Sequence, residues 1–422
     1  MLDGSEWQEQ TQSEEPNGDV AADLPGKEYF KITLSDPKKV GDGSSAYISY
    51  AITTTSSLPE FICTDVLVRR RFQDFAALHR NLSDAHPASV MPPAPGKHRM
   101  EYITGDRFST EFIERRRQAL QSYLGRIARH FLIQKSPVLH KFLSSKDAVE
   151  LRSNLQRQRS NSNNSRVFEA FSDVFINAFS KIKDVDPKFV AFKEHIDQFE
   201  ESLQSVEKQH RKMLKLQTHL EANLSEFSNS VIGLGEMETD IKQNLIDFGT
   251  TVRSSSVALK EKLTKEEGEY MNFLEDYINY CHQVKDVLKL RDQKQLDVEE
   301  LNQYLKNHIA DRDRTMSTSK GAGALGFIQD RVHQMKGIDA EVARQHRLEK
   351  LEAKIVELRE AQATSVETCE KFSKQVEKEI QIFNDETARN FNSVFESRVA
   401  SEVEYHEKSL KFWDELIKTF EL

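Results

Sequence analysis

Proline distribution divides this chain of 422 residues into two parts. All ten prolines lie at or before Pro187, and none occurs in residues 188–422. Because one internal proline costs an α-helix about 3 kcal/mol, a long segment without proline is typical of uninterrupted helices. A chain of this length is expected to form two or more domains, and the last proline marks the predicted start of a helical one.

The region without proline is predicted to form three long helices. Its eight glycines are clustered at a few places, and between them apolar residues recur at steps of three and four. The predicted helices span about 188–232, 238–314 and 328–420. Helices of this length cannot bury their apolar faces within one small bundle, so we expect them to pair with a second chain. A coiled-coil rod is the alternative, although the loosely mixed spacing favours a thicker bundle.

The region before it has the pattern of a small sheet domain. KEYFKITLSDPKKV and SSAYISYAITTT alternate apolar and polar residues, as half-buried strands do. LVRRRFQDF predicts a third strand that runs into a helix, and FSTEFIERRRQALQSYLGRIARHFL predicts an amphipathic helix. The proline-rich MPPAPGKHR between them is predicted to be an ordered loop. The fold class is therefore α+β, with a three-stranded antiparallel sheet, followed by an all-α region.

Charge is distributed as unevenly as proline. Residues 1–26 contain seven acidic residues and no Lys or Arg, whereas residues 27–147 contain nineteen Lys/Arg against twelve Asp/Glu. Residues 188–422 are acidic again, and the net charge of the chain is −9. One basic region favours a local anionic target over nucleic acid, which would need positive charge over more of the chain. The acidic tail is predicted to be disordered.

Motifs of enzymes and metal sites are missing from the sequence. Cys63, Cys281 and Cys369 are far apart without zinc-type spacing, and are predicted to be reduced thiols of a cytoplasmic protein. GAGALG at 321–326 matches a dinucleotide-binding glycine pattern, but no predicted strand precedes it, so it is interpreted as a turn between helices. No apolar run is long enough to predict a membrane span. We expect no catalytic residue, no metal and no cofactor.

The segment RRRFQDF at 69–75 places three guanidinium groups beside an aromatic ring. From the residues alone it is either a solvated basic edge or a cup for an anionic ligand with a flat face. A strand ending in RRRF, then a helix, PPAPGK and a helix beginning ERRRQAL, is similar to phox-homology (PX) domains. Over about residues 27–422 the chain resembles sorting nexins in which a PX domain precedes a BAR domain. KITLSDPKK, YITGDRFS and LKLRDQKQLDVEELNQYL resemble a fungal, autophagy-related subgroup of that family.

The resemblance implies a division of the chain into four segments. An acidic tail at 1–26 precedes a PX domain at 27–147 and a linker at 148–187, and a dimerising BAR domain of three long helices occupies 188–422. The linker contains a segment, 166–183, whose apolar residues share one helical face. This segment either inserts into a membrane, as the resemblance implies, or docks on the helical bundle. Its candidate insertion residues are Phe168, Phe171, Phe175 and Phe179.

The resemblance also implies a site for phosphatidylinositol 3-phosphate. Arg71 would bind the 3-phosphate, and Gln73 would contact the same group. Phe72 would lie flat under the inositol ring, at a position where the family more often has tyrosine. Lys97 would meet the 1-phosphate near the bilayer, and Arg116 would donate hydrogen bonds to the ring hydroxyls at positions 4 and 5. The neighbouring arginines are predicted to be general basic surface or structural pairs: Arg69, Arg70, Arg115 and Arg117.

The function implied by the resemblance is that of a peripheral membrane adaptor. It would bind phosphatidylinositol 3-phosphate on the cytosolic face of early endosomes and at the preautophagosomal structure. It would act as a homodimer, or as a heterodimer with another PX-BAR sorting nexin, and would sense or shape curved membrane. Its roles would be retrieval of cargo such as SNARE proteins to the Golgi, and selective autophagy. The alternative is a coiled-coil scaffold whose basic patch binds protein partners without lipid specificity.

Overall fold

The structure is a computed structural model. It describes residues 30–61, 66–96, 108–146, 186–317 and 340–420. Several predictions concern residues outside these ranges: the acidic tail, Lys97, the segment 166–183 with its four phenylalanines, and the GAGALG turn.

The first part of the chain is a sheet domain. Strands β1 (Phe30–Val40), β2 (Tyr47–Ser56) and β3 (Val66–Arg71) form an antiparallel sheet in that order. The strands are followed by the helices α1 (Phe72–Ala85), α2 (Thr110–Arg129) and α3 (Pro137–Ser144). The predicted α+β fold with a three-stranded antiparallel sheet is confirmed.

Alternation of apolar residues explains which face of the sheet is covered. In the strand register Leu34 of β1 pairs with Ile52 of β2, which pairs with Val68 of β3, and all three side chains are buried. Ser109 begins α2 by accepting a hydrogen bond from the Phe112 backbone N–H at 3.2 Å. Gln121 then holds α2 against β1, because its side chain donates to the carbonyl of Ile32 and accepts from the N–H of Leu34.

The second part of the chain is helical. Helix α4 (Pro187–Met237) leads to α5 (Lys242–Glu266), and a π-helical turn (Glu267–Met271) joins α5 to α6 (Asn272–Ser317). Helix α7 (Ala340–Phe420) has 81 residues and is about 120 Å long at 1.5 Å per residue. The three predicted helices are thus confirmed for the described residues, with α5, the π turn and α6 together forming the second.

The interior of the helical region is a seam of apolar and aromatic side chains from α4, α6 and α7. Tyr277 and Tyr280 of α6 are fully buried, and the ring of Tyr280 meets that of Phe383 of α7 edge to face at 5.1 Å. The seam also takes up Val90 from the sheet domain, so this one residue of the sheet domain is buried in the core of the helical region.

The end of the first long helix differs from the prediction. Gly233 and Gly235 were expected to end it, but α4 continues through both to Met237. At the neighbouring crossing a Cβ on Gly249 would lie 2.6 Å from the Ile232 side chain, so glycine lets α4 and α5 approach closely. Gly235 and Gly249 thus lie at close helix contacts, whereas a Cβ on Gly233 would meet nothing within 4 Å. The number and spacing of glycines in the sequence do not distinguish a helix contact from a helix end.

Within the described ranges, no helix has both the length and the apolar composition that crossing a bilayer requires. Cys281 and Cys369 are free and buried, as predicted, whereas Cys63 lies outside the described residues. Burial raises the pKa of the Cys281 thiol to about 12, so it stays protonated at neutral pH.

Candidate functional site

The strand-to-helix junction at Arg71 positions the candidate site. Arg71 is the last residue of β3 and also the N-cap of α1. Its backbone N–H donates to Asp74 Oδ2 at 3.0 Å, and its Nε lies 3.7 Å from Asp74 Oδ1. Asp74 is buried, so the guanidinium is tethered on one side while 29% of the side chain remains exposed. The sequence signal for this tether is the acidic residue three positions into the helix, as in a capping box.

The two preceding arginines have structural roles, which is one of the two alternatives that the sequence left open for them. Arg70 is 1% exposed, and its guanidinium donates to the carbonyls of Phe142 at 2.6 Å and Ser145 at 2.5 Å. It therefore fastens the end of α3 to the sheet. Arg69 pairs with Asp36 at 2.9 Å, and hydrogen bonds from Lys38 and Arg69 hold the pKa of the Asp36 carboxyl below its usual value. Consecutive guanidiniums tolerate one another because each has a different partner.

Phe72 and Arg116 come together from α1 and α2. The guanidinium carbon of Arg116 lies over the Phe72 ring, 4.4 Å from its centroid, and 4.2 Å from the centroid of Phe112. These distances are typical of cation–π contacts, and Arg116 is only 6% exposed. A sugar ring can stack on that face of Phe72 only if the guanidinium moves away. Phe112, not singled out from the sequence, shares a helix face with Arg116 because the two are four residues apart.

The other predicted site residues are less closely associated. Gln73 is exposed in the first turn of α1. Lys97 lies outside the described residues, but the loop leading to it is anchored: Pro92 and Pro93 are buried and Ala94 packs against the core of the sheet domain. The structure thus places Arg71, Phe72 and Arg116 at the junction between β3 and α1. The proline-rich loop begins at residues that are buried against the sheet domain.

The arginines flanking Arg116 point elsewhere. Arg117 makes an ion pair with Glu114 at 2.6 Å and donates to the carbonyl of Leu34 at 3.0 Å. The hydrogen bond to Glu114 raises the pKa of Arg117. Arg115 is exposed. Of the three arginines in ERRRQ, Arg116 is therefore the one that faces the end of β3, and Arg117 is a structural pair, as predicted.

A junction between the two parts of the chain fixes the orientation of this site. Glu379 of α7 is buried, accepts from the Val90 backbone N–H at 3.0 Å and lies 2.9 Å from His130 Nε2. Nearby, Arg126 of α2 donates to Asp276 of α6 at 2.5 Å. A buried acid with these hydrogen-bond partners ties the sheet domain to the helices. The sequence contains no signal for this junction, since its partners are far apart along the chain.

The chemistry available at the site is recognition of an anion. Guanidinium groups form paired, charge-assisted hydrogen bonds with phosphate, and the neighbouring rings provide flat apolar surface. Among the residues that the structure describes, no group of three or more His, Cys, Asp or Glu could hold a metal ion.

Comparisons with known proteins agree on both parts of the chain. Residues 59–146 match the PX domain family, and residues 164–419 match the family described as Vps5 C terminal like. A protein named Sorting nexin-4 from Cryptococcus neoformans is 35% identical over 395 residues, which cover 92% of this chain and 80% of that protein. Its namesakes from Neurospora crassa and Gibberella zeae are each 32% identical, and the matches cover 86% and 92% of their lengths.

A solved structure has the same architecture. The structure titled "The cryo-EM structure of the SNX-BAR Mvp1 tetramer" matches with a TM-score of 0.60, covering 92% of this chain and 99% of that one. At 15% sequence identity, this likeness concerns the fold alone.

Proposed function

The chain belongs to the sorting nexins that join a PX domain to a BAR domain, and we propose that it binds phosphatidylinositol 3-phosphate on endosomal membranes. The family consists of membrane-associated trafficking adaptors, not of known enzymes. The observation that carries the proposal is the junction where Arg71, Phe72 and Arg116 meet. The guanidinium of Arg71 is partly exposed there, pairs with Asp74 and lies over the ring of Tyr47, and the Arg116 guanidinium lies over the ring of Phe72, the next residue along the chain.

In this proposal each residue contacts one part of the lipid headgroup. Arg71 binds the 3-phosphate through the two parallel N–H groups of its planar fork, and Gln73 is within reach of the same phosphate. Lys97 contacts the 1-phosphate from the proline-rich loop. Arg116 leaves the Phe72 ring to donate to the 4- and 5-hydroxyls, and the vacated ring supports the inositol.

Pairing with a second chain is supported by exposed apolar residues on the helices. On α7 such residues follow one stripe over more than twenty positions: Phe395, Val399, Val403, Leu410 and Ile417. On α4 they recur towards its C-terminal end: Leu216, Leu220, Phe227 and Leu234. An exposed apolar stripe of this extent is stabilised when another chain covers it. The partner is a second copy or another PX-BAR sorting nexin.

Stable membrane attachment generally requires more than one signal, because a single headgroup or acyl chain binds weakly. In this proposal the second signal is the segment 166–183, with Phe168, Phe171, Phe175 and Phe179 on its apolar face. The third is the shape of the paired helices, which sense or form curved membrane.

The proposed cellular role is retrieval of membrane cargo such as SNARE proteins from early endosomes to the Golgi, and selective autophagy at the preautophagosomal structure. This role rests on the family resemblance. A coiled-coil scaffold without lipid specificity is the alternative, and it should ignore the position of the phosphate on the lipid.

Sedimentation with vesicles distinguishes a lipid-specific adaptor from a coiled-coil scaffold. Vesicles of equal surface charge are prepared with phosphatidylinositol 3-phosphate, phosphatidylinositol 4-phosphate or phosphatidylserine. The chain is expected to prefer the first, and Arg71→Gln to weaken that binding about 10- to 100-fold, since hydrogen bonds to a charged group contribute about 1.5–3 kcal/mol. Arg69→Gln removes the same charge from the same strand and should bind normally. Equal binding to all vesicles, or unchanged binding by Arg71→Gln, would reject the proposal.

A further inference from the structure

A large cleft separates the sheet domain from the helical region. Its volume is about 900 Å³, and its walls come from α2 on one side and from α4, α5, α6 and α7 on the other. The cleft extends to Pro95 and Gly96, directly before Lys97, and Arg116 also lines it. Whatever occupies this cleft therefore lies next to the proposed lipid site.

The lining of the cleft has unneutralised positive charge. Arg115 and Arg129 of α2, Lys215 of α4 and Lys260 of α5 are exposed, and none has an ion pair with any residue that the structure describes. Two other bases are paired with acids of the lining, Arg126 with Asp276 and Arg211 with Glu275. The lining also contains acids without a cation partner among the described residues: Glu221, Glu267 and Glu269. The full set is seven Lys/Arg against five Asp/Glu, so the cleft favours an anionic occupant.

The chain itself contains a segment with complementary charge. Residues 1–26 have seven acidic residues and no Lys or Arg, and the structure does not describe them. They precede β1, which starts at Phe30 and is bonded to α2 through Gln121. An acidic segment attached this close to a basic cleft has a high effective concentration there.

The connection is long enough to reach the cleft. The cleft lies on a different face of α2 from Gln121, and a helix with side chains is about 10–12 Å across. An extended chain covers about 3.3 Å per residue, so about six residues suffice to pass around half of α2. Residues 24–29 provide that length, and all seven acids lie before them, the last being Asp23.

We propose that residues 1–26 bind in this cleft when the chain is free in solution, and that binding to an anionic membrane displaces them. The binding of residues 1–26 in the cleft is inferred from the charges and the geometry of the cleft. Their displacement by lipid also rests on the proposed function. The tail covers the approach to the proline-rich loop and competes with anionic lipid for the same basic face.

Carbodiimide cross-linking of the full chain tests the docking. This reagent joins carboxylates to amines that touch them, so at low salt the tail should cross-link to Lys215 and Lys260, as read by mass spectrometry. Lys350 is exposed and serves as a control, because it lies about 60 Å along α7 from the cleft. Equal cross-linking to Lys350, or none to the cleft lysines, would overturn the proposal.

Variants that keep the reactive amines of Lys215 and Lys260 test whether the cleft charges cause the cross-linking. Replacing Arg115 and Arg129 by Gln should lower the yield at the cleft lysines about threefold or more, because the tail loses two ionic contacts. The matched pair Arg347→Gln and Arg359→Gln, on the distant part of α7, should leave the yield unchanged. An unchanged yield in the cleft variant would count against the proposal.

Vesicles with phosphatidylinositol 3-phosphate then test displacement in the same samples. Bound vesicles should lower the cross-link yield, and an unchanged yield on sedimented protein would overturn displacement. If the vesicles do not bind at all, the proposed lipid function fails, whereas the lipid-free cross-links still decide the docking.

Discussion

The sheet domain and the helical region hide their apolar surface to different extents. Among the described residues, the sheet domain exposes Val40, Leu67 and Phe131 as large apolar side chains, whereas the helical region exposes them along much of α4 and α7. The sheet domain thus buries its own core within one chain. The helical region has a core of its own but leaves a stripe that a second chain can cover. The proposed headgroup site and the proposed pairing surface therefore lie in different parts of one molecule.

The two parts also treat buried charge differently. In the sheet domain the buried guanidinium of Arg70 donates hydrogen bonds to backbone carbonyls at the end of α3. In the helical region charged side chains pair with one another: Lys262 with Glu402 at 2.7 Å, and Arg398 with Glu266 at 3.6 Å. Lys262 and Glu266 are buried, while Glu402 is partly exposed beside the apolar stripe of α7. The arginine bonded to backbone carbonyls holds elements of the sheet domain together. The network of charged side chains in the helical region instead lies beside the exposed apolar stripe that a second chain can cover.

The largest effect is expected from a charge in the exposed stripe. Val399→Asp should weaken pairing about 100-fold or more, because a twofold interface buries the unpaired carboxylate twice. The fold of the single chain should persist, since Val399 is 61% exposed within it. Analytical ultracentrifugation with circular dichroism measures both. Val356→Asp, at a site on the same helix that is 56% exposed, is the control. A dimer that withstands Val399→Asp would place the interface elsewhere.

Loss of Arg70 should destabilise the sheet domain alone. Arg70→Ala leaves the carbonyls of Phe142 and Ser145 without their donor, at a cost of about 3–5 kcal/mol for the sheet domain. Lys38→Ala removes an exposed ion pair with Asp36 and should cost about 1 kcal/mol or less. Calorimetry with hydrogen exchange distinguishes the sheet domain from the helices. Equal losses of stability in the two variants would show that the buried hydrogen bonds of Arg70 do not contribute more than an exposed ion pair.

For lipid affinity, the planar arrangement of N–H donors in the Arg116 guanidinium should matter more than its positive charge. Arg116→Lys keeps the charge but loses the planar fork, so affinity for phosphatidylinositol 3-phosphate is expected to fall about 10-fold. Arg115→Lys makes the same change at the exposed neighbouring position and should have no such effect. Titration with a short-chain soluble form of the lipid measures the affinity. Full affinity in Arg116→Lys would remove Arg116 from the site.

The smallest effect concerns pH in the helical region. Burial, with Arg398 and Lys262 nearby, lowers the pKa of His210 to about 4 from its ordinary 6.5. The unfolded chain therefore takes up a proton more readily, so this histidine reduces the free energy of unfolding as pH falls from 6.5 towards 4. Burial raises the pKa of Glu266, which acts in the opposite direction.

The variant His210→Gln isolates the imidazole contribution. Its melting temperature should decline less than that of the unmodified chain between pH 6.5 and 4, when both are followed by circular dichroism. Parallel curves for the two proteins would mean that His210 does not contribute to this pH dependence.

Much of the architecture follows from local sequence patterns. Period-two alternation predicts β1 and β2, and the change of period after Arg71 predicts the strand-to-helix junction. Arg71, Phe72 and Arg116 were named from the resemblance to PX domains, which places them at the end of a strand, at the start of the next helix and in a later helix. Asp74 was visible in the same segment, and Phe112 lies one helical turn before Arg116.

The remaining features depend on contacts between distant residues. Arg70 meets Phe142 across 72 positions, and His130 meets Glu379 across 249. Local periodicity contains no information on such pairs, so neither the structural role of Arg70 nor the junction at Glu379 could be assigned from the chain alone. The position of Arg116 over Phe72 likewise depends on how α1 packs against α2.

A crystal structure of the chain with inositol 1,3-bisphosphate tests the central claim most directly. We expect the 3-phosphate within hydrogen-bonding distance of the Arg71 guanidinium, and Arg116 moved from the Phe72 ring to the hydroxyl groups. Density for the ligand at another surface, or Arg71 still bonded only to Asp74 in a saturated crystal, would contradict it.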